Sequence, residues 1–169
     1  MYSRNRAVEY AKKWWNSRNP QFYDFDKLGG DCTNFVSQCL YFGGIEMLYS
    51  PLGWYYNSLN SRSPSWAGVD EFFSFSTNNQ NILGVKAKQV LSQNTTGVYG
   101  IDVGDVVQLR FFDEDRFHHT ALITKMTNDG IFITCHTNDA LDKPLSYYPI
   151  KEIRFLKILN DQNNFVALT

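Results

Sequence analysis

The chain has 169 residues, enough for one domain with a sizeable core, and 43% hydrophobic content excludes an intrinsically disordered segment. The formal charge of −1, with no Lys/Arg run longer than two residues, argues against nucleic acid or an anionic membrane as partner. No apolar run approaches the length of a membrane span, and the charged opening MYSRNRAVEYAKKWW does not read as a signal peptide.

Taken in chain order, residues 3 to 16 read as a helix capped by Ser3, with Ala7, Val8, Ala11, Trp14 and Trp15 on one face and Asn19-Pro20 beyond its end. After Gly29-Gly30 a second helix is expected over residues 32 to 42, its apolar stripe made by Cys32, Phe35, Val36, Cys39 and Leu40. Gly43-Gly44 stops it. Residues 45 to 100 are less regular: a helix is expected from about Trp66 to Phe75, another around 84 to 91, and loops at NNQN and SQNTTG. From Gly104 the pattern turns to strands, GDVVQLRFF, HHTALITKM, IFITCHT and IRFLKIL, with TNDG as a hairpin turn. Helices first and antiparallel strands second make an α+β arrangement, a single domain over 1–169 that a longer protein could contain.

The three cysteines, Cys32, Cys39 and Cys135, do not form a disulfide framework. Cys32 and Cys39 lie on one helix with Cα atoms ~10 Å apart by helical rise, beyond disulfide reach. Cys32 stands where GGDCTNFVSQCL passes from two glycines and Asp31, a candidate N-cap, into the second helix. The positive end of a helix favours thiolate, the nucleophilic form of the side chain. A small buried hydrophobe would suit the same position, and the local residues leave both readings open. Cys39 and Cys135 lack the glycine seam and read as core.

A thiol enzyme needs a base and a group to orient it. If Asn128-Asp129 form a two-residue hairpin loop, His119 pairs with Asn138 and His136 with Ala121. Alternation then puts His119, His136 and Asn138 on one face and His118 on the other. Trp54, Tyr55 and Tyr56 are candidates for a substrate groove and equally for closing the core over the helices, whereas Trp66 falls in a helical stripe and reads as core. Asp113, Glu114 and Asp115 lack the alternating ligands of a calcium loop and read as a solvated turn. No metal or cofactor is expected.

GGDCTNFVSQCL followed by GG resembles the nucleophile motif of the bacterial putative amidase domain family, which is similar to the NlpC-type and CHAP cell-wall hydrolases with their papain-like fold. RNRAVEYAKKWW, NPQFYDF, WYYNS, SPSW, IDVGDVV, HHTALIT and CHTND follow the family in order. The resemblance implies a papain-like α+β fold with helices packed on a C-terminal antiparallel sheet. It also implies a cysteine hydrolase of amide bonds, in peptidoglycan or its stem peptides, acting as a monomer at the cell wall. It assigns Cys32 as nucleophile, His119 as base and His136 as third polar residue. Asn138 is the alternative for that third place, and Asp31, Trp54, Tyr55 and Tyr56 are further candidates for the site or for substrate contact. The same residues could serve a deamidase or acyl transferase, or a wall-binding module without turnover. Muramoyl–alanine amides and peptide cross-bridges both fit as the bond cut.

Overall fold

The computed structural model describes residues 1–161; residues 162–169, part of the expected single domain, lie outside the described residues. Helix α1, Arg4–Trp14, starts at Ser3, whose hydroxyl accepts from the Arg6 N–H, and buries Ala7, Val8, Tyr10 and Ala11. Trp14 and Trp15 are only half-buried, so the buried face follows Tyr10 rather than the tryptophan pair. Helix α2, Cys32–Phe42, ends at Gly43 as expected and buries every residue from Cys32 to Leu40. A short hairpin follows, β1 Tyr56–Ser58 and β2 Ser61–Arg62.

The helix expected from Trp66 to Phe75 is two pieces, α3 Pro64–Ala67 and α4 Val69–Asn78. They part at Gly68, whose ψ of 135° is extended. The helix expected around 84 to 91 is instead strand β3, Ala87–Val90. Val85 and Ala87 are buried while Lys88 is exposed, the period of two that an edge strand requires.

Strands β4 Val106–Phe111, β5 His119–Thr127, β6 Gly130–Cys135, β7 Ala140–Pro144 and β8 Ile150–Ile158 join β3 in one antiparallel sheet of order β3-β8-β4-β5-β6-β7. A single 3₁₀ turn, Leu145–Tyr147, lies between β7 and β8. The helices cover one face: Val106, Leu122, Leu156 and Ile158 pack with Phe35, Val36, Leu40, Trp54 and Trp66. The outer face holds Val107, Leu109, Ala121, Ile123, Ile131, Ile133 and Phe155, covered by Ile101 and Leu145. Among the described residues no helix is long and apolar enough to cross a membrane.

The hairpin between β5 and β6 decides which side chains can meet. Thr127 pairs with Gly130, so the two-residue loop at Asn128-Asp129 is present. The pairing then shifts by one between Ile123 and Lys125, a bulge at Thr124, and Leu122 pairs with Thr134. Continued to the strand ends, that register sets Thr120, not Ala121, opposite His136. The expected common face of His119, His136 and Asn138 is therefore overturned, because one extra residue exchanges the two faces of a strand. The Thr124 hydroxyl anchors the bulge, bonding the Thr134 hydroxyl at 2.8 Å and donating to the Asp142 carboxylate at 2.6 Å. Thr124→Val keeps the shape and removes both bonds. It should cost about 1–3 kcal/mol in urea denaturation, with Asp142 and Thr134 left short of a partner.

Candidate active site

Cys32 is the first residue of α2, and its backbone is set by the two glycines before it. Gly29 and Gly30 have φ of +90° and +103°, left-handed values that side-chain-bearing residues rarely adopt. The Asp31 N–H donates to the Thr137 hydroxyl at 2.9 Å, and a Cβ on Gly30 would come 3.2 Å from that same oxygen. A Cβ on Gly29 would meet nothing within 4 Å, so the seam opens to solvent on that side.

The Cys32 side chain, 4% exposed, is wedged against the main chain of β5. Its S–H donates to the His118 carbonyl at 3.6 Å, and the Thr120 backbone N–H faces the sulfur. These two main-chain groups flank His119. Beside the sulfur the Thr33 and Thr120 hydroxyls bond at 2.8 Å, and the Gln108 amide donates to Thr120 at 3.2 Å. Gln108 in turn accepts from Arg154 at 2.6 Å, and Arg154 reaches Asp70 at 2.9 Å. A buried polar chain thus links the floor of the site to α4. Sequence reading missed it, although Gln108 and Thr120, polar residues at helix-facing positions of apolar strands, were its visible sign.

The thiol is more basic than usual, not more acidic. Burial pushes the Cys32 pKa up, against smaller opposing contributions from the Thr120 and Thr33 groups. The expected lowering by the helix end is outweighed, since a helix terminus contributes about 0.3–1 kcal/mol and full burial of a charge far more. Burial likewise raises Cys39 well above its ordinary value and pushes Cys135 up to about 12.

The three histidines have three different environments. His119 is 5% exposed and lies on the outer face, against Phe111 and Tyr148 with ring centroids 6.0 and 6.3 Å away. Its Nε2 is buried without a hydrogen-bond partner among the described residues. Burial, helped by the Lys143 charge, pulls its pKa down to about 4, so near neutral pH it is an uncharged base. His118 is 43% exposed at its side chain and accepts from Arg116 Nε at 3.0 Å. His136 is buried on the helix side, stacked on Phe35 at 3.8 Å, with its Nδ1 2.6 Å from Asp31 and its Nε2 2.7 Å from the Trp14 carbonyl. Both its ring nitrogens are occupied there, so it does not orient His119 as a third triad member would. None of the three rings hydrogen-bonds the thiol among the described residues.

Beside Gly29-Gly30 opens a cleft of ≈ 660 Å³, walled by Phe25, Leu28, Arg62, Ser63, the start of α4 from Val69 to Glu71, and Arg116 to His118. That volume suits a small-molecule or peptide-end site. Of the two readings of the aromatics, Trp54 and Tyr56 take the core one. Trp54 is fully buried, its indole N–H donating to Ser37, and Tyr56 is buried with its hydroxyl accepting from the Tyr23 N–H. Tyr55 is half-buried and Asn138 is exposed in the β6–β7 turn, at φ 60°. Asp31 occupies the N-cap position of α2, but its carboxylate makes no capping bond. Of the Asp113–Asp115 turn, Glu114 accepts from the Phe111 N–H at 3.0 Å.

The family described as Putative amidase domain matches residues 1–159, across α1, α2 and the whole sheet. The chain belongs to the putative amidase domain family. Two Bacillus subtilis (strain 168) proteins are similar along most of it. Uncharacterized protein YhbB is 30% identical over 95% of this chain, and uncharacterized protein YjcM is 29% identical over 89% of it. The chain spans 51% of the first and 34% of the second. No solved structure matches.

Two outcomes follow from the burial of these groups. Iodoacetamide should label Cys32 before Cys39 and Cys135, slowly near pH 7 and faster as pH rises, as read by peptide mapping of native protein. Faster labelling of either core cysteine would contradict the burial order. For His119, a folded pKa of about 4 lies below the unfolded value, so its contribution favours the fold above pH ~6.5 and is lost as pH falls toward 4. His119→Phe keeps the ring packing without the nitrogen. It should resist acid better than wild type, by on the order of 3 kcal/mol at pH ~4 in urea melts.

Proposed function

We propose that this domain is a cysteine hydrolase of amide bonds, with a papain-like arrangement of the kind found in NlpC-type and CHAP enzymes and with peptidoglycan as substrate. The observation that carries the reading is the seat of Cys32: a thiol at a helix N-terminus, beside a glycine-walled cleft, against the main chain on both sides of an uncharged buried histidine. Membership of a family described as an amidase domain supports the class of reaction. The wall substrate rests on the resemblance to cell-wall hydrolases.

In this reading the scissile carbonyl enters from the cleft past Gly29-Gly30. The Cys32 proton leaves for His119 as sulfur attacks the carbonyl carbon, because a buried thiol that donates to a carbonyl is not a standing thiolate. The uncapped N–H groups at the start of α2 take up the charge on the carbonyl oxygen. The His119 proton then passes to the leaving amine as the C–N bond breaks. Water, deprotonated by His119, hydrolyses the thioester and restores the thiol. The free, buried Nε2 of His119 supports its role, since such an atom ordinarily costs about 1–3 kcal/mol and asks for a function. A second reading makes His118 the base, favoured by its place on the cleft wall beside the glycines.

Digestion of purified peptidoglycan, followed by mass spectrometry of the products, tests the proposal. Cys32→Ala should abolish release of new amine ends. His119→Ala should slow release by about 10²–10⁴-fold, and His118→Ala far less. The opposite ranking of the two histidines would move the base to His118, and full activity in Cys32→Ala would remove the thiol mechanism altogether.

A further inference from the structure

An aspartate at the N-cap position ordinarily turns its carboxylate onto the first N–H groups of the helix. Asp31 does not. One oxygen accepts from the Phe25 N–H at 2.8 Å and the Asn34 amide at 2.9 Å. The other is hydrogen-bonded to His136 Nδ1 at 2.6 Å. On its far side the same imidazole donates from Nε2 to the Trp14 carbonyl at 2.7 Å. A carbonyl only accepts, so the ring donates from Nε2 to Trp14, and Nδ1 and the Asp31 carboxyl hold one proton between them.

The surrounding charges explain why a proton belongs between carboxyl and ring. Arg18, on the segment after α1, holds Asp26 at 2.6 Å and Asp139, in the β6–β7 turn, at 3.0 Å. It stands 3.6 Å from Asp24 and 3.7 Å from Asp31. One guanidinium thus faces four carboxylates, and Asp31, the most buried of them, is the one that borders the thiol. On the thiol's other sides stand the β5 main chain and Cys135, which stays protonated.

We propose that Asp31 and His136 are a positioning pair: the ring turns the carboxyl away from α2 and holds a proton with it, so that less negative charge faces the thiol and the first N–H groups of the helix. The pair deepens the cysteine-hydrolase reading, on which its catalytic meaning rests. It also assigns His136 a place other than that of an orienting group for the base. Thiolate and oxyanion both develop within a residue or two of Asp31, where an unpaired carboxylate opposes them.

The test reads the thiol itself and needs no substrate. The rate of iodoacetamide alkylation at Cys32 is followed against pH by peptide mapping in the full chain. His136→Gln leaves the carboxylate charged and unpaired, and should slow labelling at pH 8 about tenfold, the equivalent of one unit in thiol pKa. Asp31→Asn/His136→Gln removes both titratable groups and should return the rate to within about threefold of wild type. A side chain with only a packing role predicts no such recovery. Wild-type labelling in His136→Gln, or a double variant no faster than that single one, overturns the proposal. Should His136→Gln not fold, Asp31→Asn alone decides: labelling at least as fast as wild type is expected, and slower labelling overturns it. Failure of the hydrolase reading would show instead as turnover by Cys32→Ala, whatever the labelling rates.

Discussion

One carboxylate ties together the parts of the molecule that define the site. Asp31 receives the Phe25 main chain, the Asn34 side chain of α2 and the His136 ring from the end of β6, and through that ring it reaches the last turn of α1. The end of α1, the segment at Phe25, the first turn of α2 and the end of β6 therefore converge on the residue before Cys32. A buried, hydrogen-bonded acid–base pair of this kind contributes little net stability but is costly to break on one side, commonly about 3–5 kcal/mol. It fixes geometry more than it adds energy, and the geometry is that of the helix end carrying the thiol.

The sulfur is held from the other side by the sheet. The backbone around His119 meets it, and the Thr33–Thr120–Gln108 chain fixes the height at which α2 sits over β5. Burial then sets the chemistry. Solvent exclusion raises the thiol and lowers His119, so both are uncharged before substrate arrives. In the proposed reaction, charge separation is deferred until sulfur attacks, where the open N–H groups of α2 can meet it, and the dry surroundings that disfavour a resting thiolate strengthen those later contacts. The same burial gives an inert resting cysteine, a useful property in a small domain with three free thiols.

Much of the frame was legible in the residues. The glycines on both sides of α2 and its apolar stripe mark its ends, and the four β-like runs correspond to β4, β5, β6 and β8. Elements without strong periodicity were not: β7 is a five-residue strand, ALDKP, and β3 hides in a stretch where lysines alternate with small apolar residues. Gly68 divides a run whose aromatic spacing looks continuous. In the site, the seat of Cys32 at the start of α2 was legible in the local sequence, which left its role open, and the faces of the histidines were not legible. The hairpin loop was countable, whereas the bulge at Thr124 depends on hydroxyl and carboxylate partners from β6 and β7 that no local pattern shows. Trp54 and Tyr56, for which groove and core both stood open, are buried because their polar tips find Ser37 and the Tyr23 main chain within the core.

The central claim is that an acyl group passes through the sulfur of Cys32. Its most direct test is mass spectrometry of the Cys32 peptide after brief incubation of the protein with peptidoglycan fragments and an acid quench. An added acyl fragment on Cys32 that hydroxylamine removes is expected, and none in Cys32→Ala. Amide cleavage that proceeds equally well in Cys32→Ala would contradict the claim.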